Sequence, residues 1–265
     1  MNQVKIKTFK NELNIAKRAA EEAGKILLKL FLNKNHVIRK SAKELVSGAD
    51  IESQKIIEVI LKNEFPNYQS YSEEKRVQQD YSADAPFWII DPLDGTHNYI
   101  AGLPFYGVSI ALADIHNFYL GVIYLPFFDS LFWAVKDSGA YCNEAKIKSS
   151  QNSDLSKSMI AYDNHFHLNS NSFKNYKKLV DKSFTTRITG SAVYDLCLAA
   201  SGKIDARIWN NTKICDVAAG VTIISEAGGS ITDFNGAALN LSVKDVIASN
   251  GRVHNEIITV ITGGR

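Results

Sequence analysis

Four apolar runs follow one another closely between Phe87 and Lys136: "FWII", "YGVSIALAD", "FYLGVIYL" and "SLFWAVK". The turn segments between them are short, and this close spacing favours antiparallel pairing of neighbouring strands. The flanking sequence supplies what covers such a sheet. Phe9, Leu13, Ala16, Ala20, Ala23, Leu27 and Leu30 recur at steps of three and four, the period of a helix with one apolar face. A second helix is expected from about Asp50 to Phe65, where Ile57, Ile60 and Leu61 share a face and "FPN" supplies a stop.

The second half changes rhythm. Helix-like "AVYDLCLAASG" and "DVAAGVTIISEAGG" alternate with strand-like "DARIW", "GSITDF" and "DVIASN", an α/β pattern. Gly228 and Gly229 fit a helix C-terminus. The polar stretch from Asp163 to Lys178 reads as a loop or lid entering a helix. The chain therefore divides into an α+β half over residues 1–145 and an α/β half over 146–265, expected to form one compact catalytic unit.

A length of 265 residues with 45% hydrophobic content is enough for a full core. Lys and Arg number 30 against 28 Asp and Glu, and the net charge of +2 comes without a long single-sign block, so nothing demands nucleic acid as a partner. The start, "MNQVKIKTFKNELN", lacks an apolar signal core, and no apolar run approaches a membrane span; a cytoplasmic protein is expected. Cys142, Cys197 and Cys215 are widely spaced, without the short pairings of zinc or redox sites, and read as buried free thiols.

Chemistry concentrates in "WIIDPLDGTHNYIAGLPF", Trp88 to Phe105. An Asp at the end of a buried strand points its carboxylate into the crevice where loops gather, and Asp91 and Asp94 can face one cavity. Pro92 fixes the backbone between them, leaving the Leu93 carbonyl able to point inward, while Gly95 and Thr96 offer backbone N–H groups to an anion. The same two acids also read as turn caps. Further acids stand at apolar-flanked segment ends or helix starts: Glu73 and Glu74 in "YSEEKR", Asp50 in "LVSGAD" and Asp216 in "KICDVAAG". Two carboxylates about 4 Å apart repel by roughly 4 kcal/mol at an effective dielectric near 20. A cluster of four calls for divalent cations, and all-oxygen ligands select hard ions such as Mg²⁺, with Mn²⁺ as a substitute.

The order and spacing of these acids resemble the inositol monophosphatase family of metal-dependent, lithium-sensitive sugar phosphatases. Its two signature motifs read here as "WIIDPLDGTHNYIAGLPFYGVSIAL" and "KICDVAAGVTIISEAGG", and the likeness extends from "KSAKELVSGAD" to "VIASN". The resemblance implies a layered αβαβα sandwich, mixed α+β in class, and hydrolysis of a small phosphate monoester. Inositol 1-phosphate is the leading substrate, with fructose-1,6-bisphosphate, 3′-phosphoadenosine 5′-phosphate and histidinol phosphate as alternatives. It implies that Glu73, Asp91 and the Leu93 carbonyl hold one metal, and Asp91, Asp94 and Asp216 another, in a centre of two or three Mg²⁺ ions. Glu73, Thr96 and Asp50 would serve catalysis, Thr96 and Asp50 by lining up or activating the attacking water. Asp94, Gly95, Thr96, Gly190, Ser191 and Ala192 would surround the substrate. A homodimer is also implied, supported by the apolar "FYLGVIYLPFFDSLFW" segment. The alternative from another class is a regulatory protein acting through protein partners.

At the substrate end the chain departs from the animal inositol enzymes, which carry a Glu where Trp209 stands. An aromatic face covers the apolar side of a ring but accepts no hydrogen bond from a hydroxyl. Arg207 and Lys213 either meet a second phosphate or lie solvated on a strand and turn. His97 reads as a solvent-facing turn residue, His165 and His167 as polar loop residues, and Cys215 as a small buried hydrophobe.

Overall fold

The computed structural model describes residues 9–31, 37–39, 45–72, 85–163 and 170–263. Helix α1 (Lys10–Leu30) buries Leu13, Ala16, Ala20, Ala23 and Leu27 along the stripe expected of it. An antiparallel pair, β1 (Val37–Arg39) and β2 (Leu45–Ser47), leads to α2 (Gly48–Glu64), which packs along α1 and ends ahead of Pro66.

A seven-stranded sheet follows in strict chain order. Its strands are β3 (Gln69–Ser72), β4 (Phe87–Asp94), β5 (Gly107–Ala113), β6 (Phe118–Leu125), β7 (Ser130–Val135), β8 (Ala140–Cys142) and β9 (Ala145–Lys146). A short helix, α3 (Thr96–Ala101), interrupts the connection from β4 to β5. The pairs from β4 to β9 are antiparallel as the sequence spacing requires, whereas β3 joins β4 in parallel.

The remainder contributes β10 (Met159–Tyr162), α4 (Ser170–Lys182), β11 (Thr185–Arg187), α5 (Ala192–Ala200), β12 (Ala206–Trp209) and α6 (Ile214–Glu226). It closes with β13 (Ser230–Asp233), β14 (Val246–Ser249) and α7 (His254–Thr262). Its five strands are ordered β11-β10-β12-β14-β13, parallel where β10 meets β11 and β12 and antiparallel elsewhere.

The layers follow from strand alternation. Trp88 and Ile90 of β4, Ile110 and Leu112 of β5 and Leu120 and Val122 of β6 face the core beneath α1 and α2. Their neighbours Phe87, Ile89, Ala111, Ala113 and Ile123 face a second core shared with α5 and α6. On the far side of the five-stranded sheet, Ile160, Ile208 and Ile247 pack with Leu179 of α4 and Ile257 of α7. The result is the αβαβα sandwich.

The middle helix layer sits unusually close to the large sheet because β6 carries Gly121 where α6 crosses it. A Cβ there would lie 2.1 Å from the Ala219 carbonyl oxygen. That approach sets the height of α6, and with it the position of Asp216.

Candidate metal and phosphate site

In an ordinary strand, residues three apart point to opposite faces. Asp91 and Asp94 escape this rule because β4 does not end at Ile90; it continues through Pro92 with an irregularity. Asp91 pairs with Ser109 and Asp94 with Gly107, so the β4 side holds one residue more than its partner over this stretch, a β-bulge. Leu93 consequently turns into the core beneath α1 and α2, and the Pro92 carbonyl accepts a hydrogen bond from Ser53 of α2 at 2.7 Å. Both aspartates are left on the side of α5 and α6. Carboxylate oxygens of Asp91, Asp94 and Asp216 all lie within 4.8 Å of one another.

Two helix N-termini aim the outer acids. Ser191 caps α5, and its hydroxyl donates to Asp94 Oδ2. The first amides of that helix, Ala192 and Val193, donate to the same carboxylate at 3.2 Å each. Asp216, in the first turn of α6, accepts from the Lys213 amide at 3.0 Å and from the Thr212 hydroxyl at 2.8 Å. The exposed N–H groups and aligned dipoles of these first turns favour negative charge, whether carboxylate or phosphate. Asp91, buried between them, accepts from the Leu93 amide at 3.1 Å.

That stabilisation is incomplete. Burial, followed by the charge of Asp216, pushes the Asp94 carboxyl up to about 7, against the opposing pull of Ser191, Val193 and Ala192. Three acids crowded this way favour a proton or a cation. The donors are oxygens only, the set that suits a hard divalent ion.

On the opposite rim, the Thr96 hydroxyl lies 3.0 Å from the Leu93 carbonyl and 3.2 Å from Asp50 Oδ1, donating to one at a time. Asp50 is buried in the first turn of α2. Gly95 joins β4 to α3 at φ 80°, and a Cβ there would stand 2.5 Å from the Phe105 carbonyl oxygen, so the turn admits no side chain. Gly190, Ser191 and Ala192 lead into α5 beside this turn, a Cβ on Gly95 standing 3.3 Å from the Ser191 Cβ and one on Gly190 3.3 Å from the Asn98 side-chain amide.

Other expectations fare differently. Glu73 and Glu74 lie outside the described residues, as do His165 and His167. His97 is exposed, while Cys197 and Cys215 are buried thiols and Cys142 is half-buried. Trp209 is 3% exposed within the core shared by the two sheets, so packing, and not an open substrate wall, accounts for its position. Arg207 corrects both of its sequence readings: it is neither solvated nor turned toward a phosphate, but buried against Asp195 at 3.1 Å. Lys213 is exposed. Sequence reasoning overlooked Val193 and Thr212, although a Thr four residues before Asp216 and an N-cap Ser before an apolar helix were visible signals.

A five-layer sandwich with clustered acids at helix N-termini defines a metal-dependent phosphatase. The chain belongs to the inositol monophosphatase family, whose model matches residues 10–262. It is 35% identical over 255 residues to the Nus factor SuhB of Haemophilus influenzae, covering 94% of this chain and 95% of that one. It is 33% identical over 265 residues to the fructose-1,6-bisphosphatase/inositol-1-monophosphatase of Aquifex aeolicus, with coverage of 96% and 97%. The crystal structure of the extragenic suppressor protein suhB from Bartonella henselae superposes with a TM-score of 0.90 at 31% identity, covering 96% of this chain and all of that one. No helix among the described residues is long and apolar enough to cross a membrane.

Proposed function

We propose that the protein hydrolyses a small phosphate monoester in a Mg²⁺-dependent reaction, with inositol 1-phosphate as its leading substrate. The observation that carries this reading is the meeting of Asp91, Asp94 and Asp216 within 4.8 Å at the N-terminal ends of α5 and α6. Asp91, Asp94, Asp216 and the Leu93 carbonyl would hold two or three ions, with Glu73 completing the set by its place in the motif. When bound, such cations supply positive charge against the phosphate and acidify water.

The residues of the chain do the rest. Thr96 and Asp50, already hydrogen-bonded to one another, orient the attacking water and take up its proton. The Gly95–Thr96 turn and Gly190 bring backbone N–H groups to the equatorial phosphate oxygens, where charge spreads during transfer, while the Ala192 amide stays with Asp94. Water attacks phosphorus, the ester P–O bond breaks, and inorganic phosphate and the alcohol leave. With Arg207 committed to Asp195, one candidate for gripping a second phosphate is removed, which favours a polyol monophosphate over a bisphosphate.

A panel of inositol 1-phosphate, fructose-1,6-bisphosphate, 3′-phosphoadenosine 5′-phosphate and histidinol phosphate, assayed for phosphate release with Mg²⁺, tests the reading. The highest kcat/KM is expected for the inositol ester. Release from none of them, with Mg²⁺ or Mn²⁺, would reject it.

Exposed Phe127 and Phe128, at 51% and 42%, which pack against each other, support the further reading of a homodimer. Sedimentation at low micromolar concentration checks it, a species of only 29 kDa counting against it. Association with a different protein is the second reading, supported by the names of the Haemophilus and Bartonella relatives.

A further inference from the structure

The segment that brings Ser191 to Asp94 is held from behind by a buried polar chain. Asn98, on α3, donates its amide to the Phe105 carbonyl at 2.8 Å and to the Thr189 carbonyl at 2.9 Å. The Thr189 hydroxyl donates to Asp195 Oδ1 at 2.8 Å. Asp195 Oδ2, in turn, faces Arg207 Nε at 3.1 Å, joining α5 to β12. The Asp195 and Arg207 side chains are 0% and 3% exposed, and the guanidinium lies over the Trp209 ring, 4.8 Å from its centroid.

Stability alone is a weak reason for an ion pair this deep, because removing both charges from water offsets most of their attraction. The contact is also imperfect: Arg207 Nε and Nη1 make no geometrically sound hydrogen bond among the described residues. What the pair does provide is a fixed carboxylate under Thr189. Burial raises the Asp195 carboxyl above its ordinary range on balance, while the Arg207 guanidinium and the Thr189 hydroxyl pull the other way and favour the charged acceptor. With the acceptor kept, Thr189 is pinned at its hydroxyl and its carbonyl, and the Gly190–Ser191 turn that follows has little freedom.

We propose that Asp195, paired with Arg207, is a positioning residue for the metal centre: through Thr189 it fixes the Gly190–Ser191 turn and thereby aims the Asp94 carboxylate. The inference rests on the reading of Asp94 as a metal ligand. It adds that a buried charge pair outside the cleft sets metal affinity without touching metal or substrate.

Thr189→Val tests this with shape kept and the hydroxyl lost; Thr189→Ser is the conservative control. A second variant, Asp195→Asn with Arg207→Met, removes both charges together and so leaves neither stranded. Mn²⁺ binding is measured by titration calorimetry without substrate, alongside thermal melts and steady-state kinetics in Mg²⁺. The expected result is folded protein with Mn²⁺ bound about tenfold more weakly in Thr189→Val and in the double variant, the range for lost outer hydrogen bonds to metal ligands. kcat should fall at limiting Mg²⁺ with KM for the ester little changed, and Thr189→Ser should restore both measures. Parent-like Mn²⁺ affinity in Thr189→Val and the double variant would overturn the inference while leaving the metal reading intact. Absence of Mn²⁺ binding in the parent protein would overturn both.

Discussion

Asp94, at the end of β4, and Asp216, in the first turn of α6, bring their carboxylates together where two helices begin, each acid stabilised by the first turn it meets while the two repel one another. The charge of Asp216 is second only to burial in raising the Asp94 carboxyl to about 7. Replacing either with Asn would remove a proposed ligand and relieve the repulsion at once. Asp94→Asn and Asp216→Asn are therefore expected to reduce turnover to background, while metal-free stability holds or rises by on the order of 1 kcal/mol. Phosphate release and melts in chelator check this, and near-normal activity in either purified variant would rule out the ligand assignment.

Gly121→Ala addresses the height of α6. The added methyl would collide with the Ala219 backbone, a contact that no rotamer change can relieve. Overpacking of this kind typically costs about 1–3 kcal/mol. Because Asp216 rides on the same helix, activity should fall further than the lost stability explains, measured as kcat at a temperature where the variant is fully folded.

Trp209→Glu separates packing from recognition. The buried site makes a cavity and strands a carboxylate, and losses of about 3 kcal/mol or more are expected. The order of preference among phosphate esters should stay as in the parent. A variant that kept its melting temperature and re-ranked the panel toward inositol esters would instead establish contact with substrate.

His254, held by Ser249 and Thr232, gives a pH signature of its own. Its ring nitrogens meet Ser249 Oγ at 2.8 Å and Thr232 Oγ1 at 2.9 Å, and burial holds its pKa below the ordinary value. On acidification the unfolded chain takes up this proton before the folded one, beginning near pH 6.5. Stability contributed by the neutral ring is thus present above that pH and lost as pH falls toward the folded value, at up to about 1.4 kcal/mol per pH unit. Denaturant midpoints from pH 5 to 8 should show a shallower acid slope in His254→Gln; equal slopes would discount the residue.

Much of the arrangement was legible in sequence because it rests on periodicity or on short-range chemistry. The stripe of α1, the antiparallel run β4 to β7 and the acids of both motifs are of this kind. Four features were not. The bulge at Pro92 and Leu93 depends on β5 as much as on β4, so the strand looked finished at Ile90. Arg207 read as solvated or phosphate-facing because its counter-charge, Asp195, lies on another element and meets it only after α5 packs on β12. The helix α7 and the parallel edge strand β3 carry short patterns whose meaning comes from the sheets they cover or extend.

The bulge in β4 also makes the centre sensitive to residue count. Strand faces alternate, so the number of residues separating the two acids has a parity, and the single extra residue flips it. Deleting Pro92 or Leu93 would dissolve the bulge and not invert the strand: the two acids, then two apart, would keep one face by plain alternation, and the kink that sets the Leu93 carbonyl 3.0 Å from the Thr96 hydroxyl would be lost. Substitutions along this stretch adjust the centre by degrees, whereas a change of length by one decides whether the strand bends at all before it reaches α3.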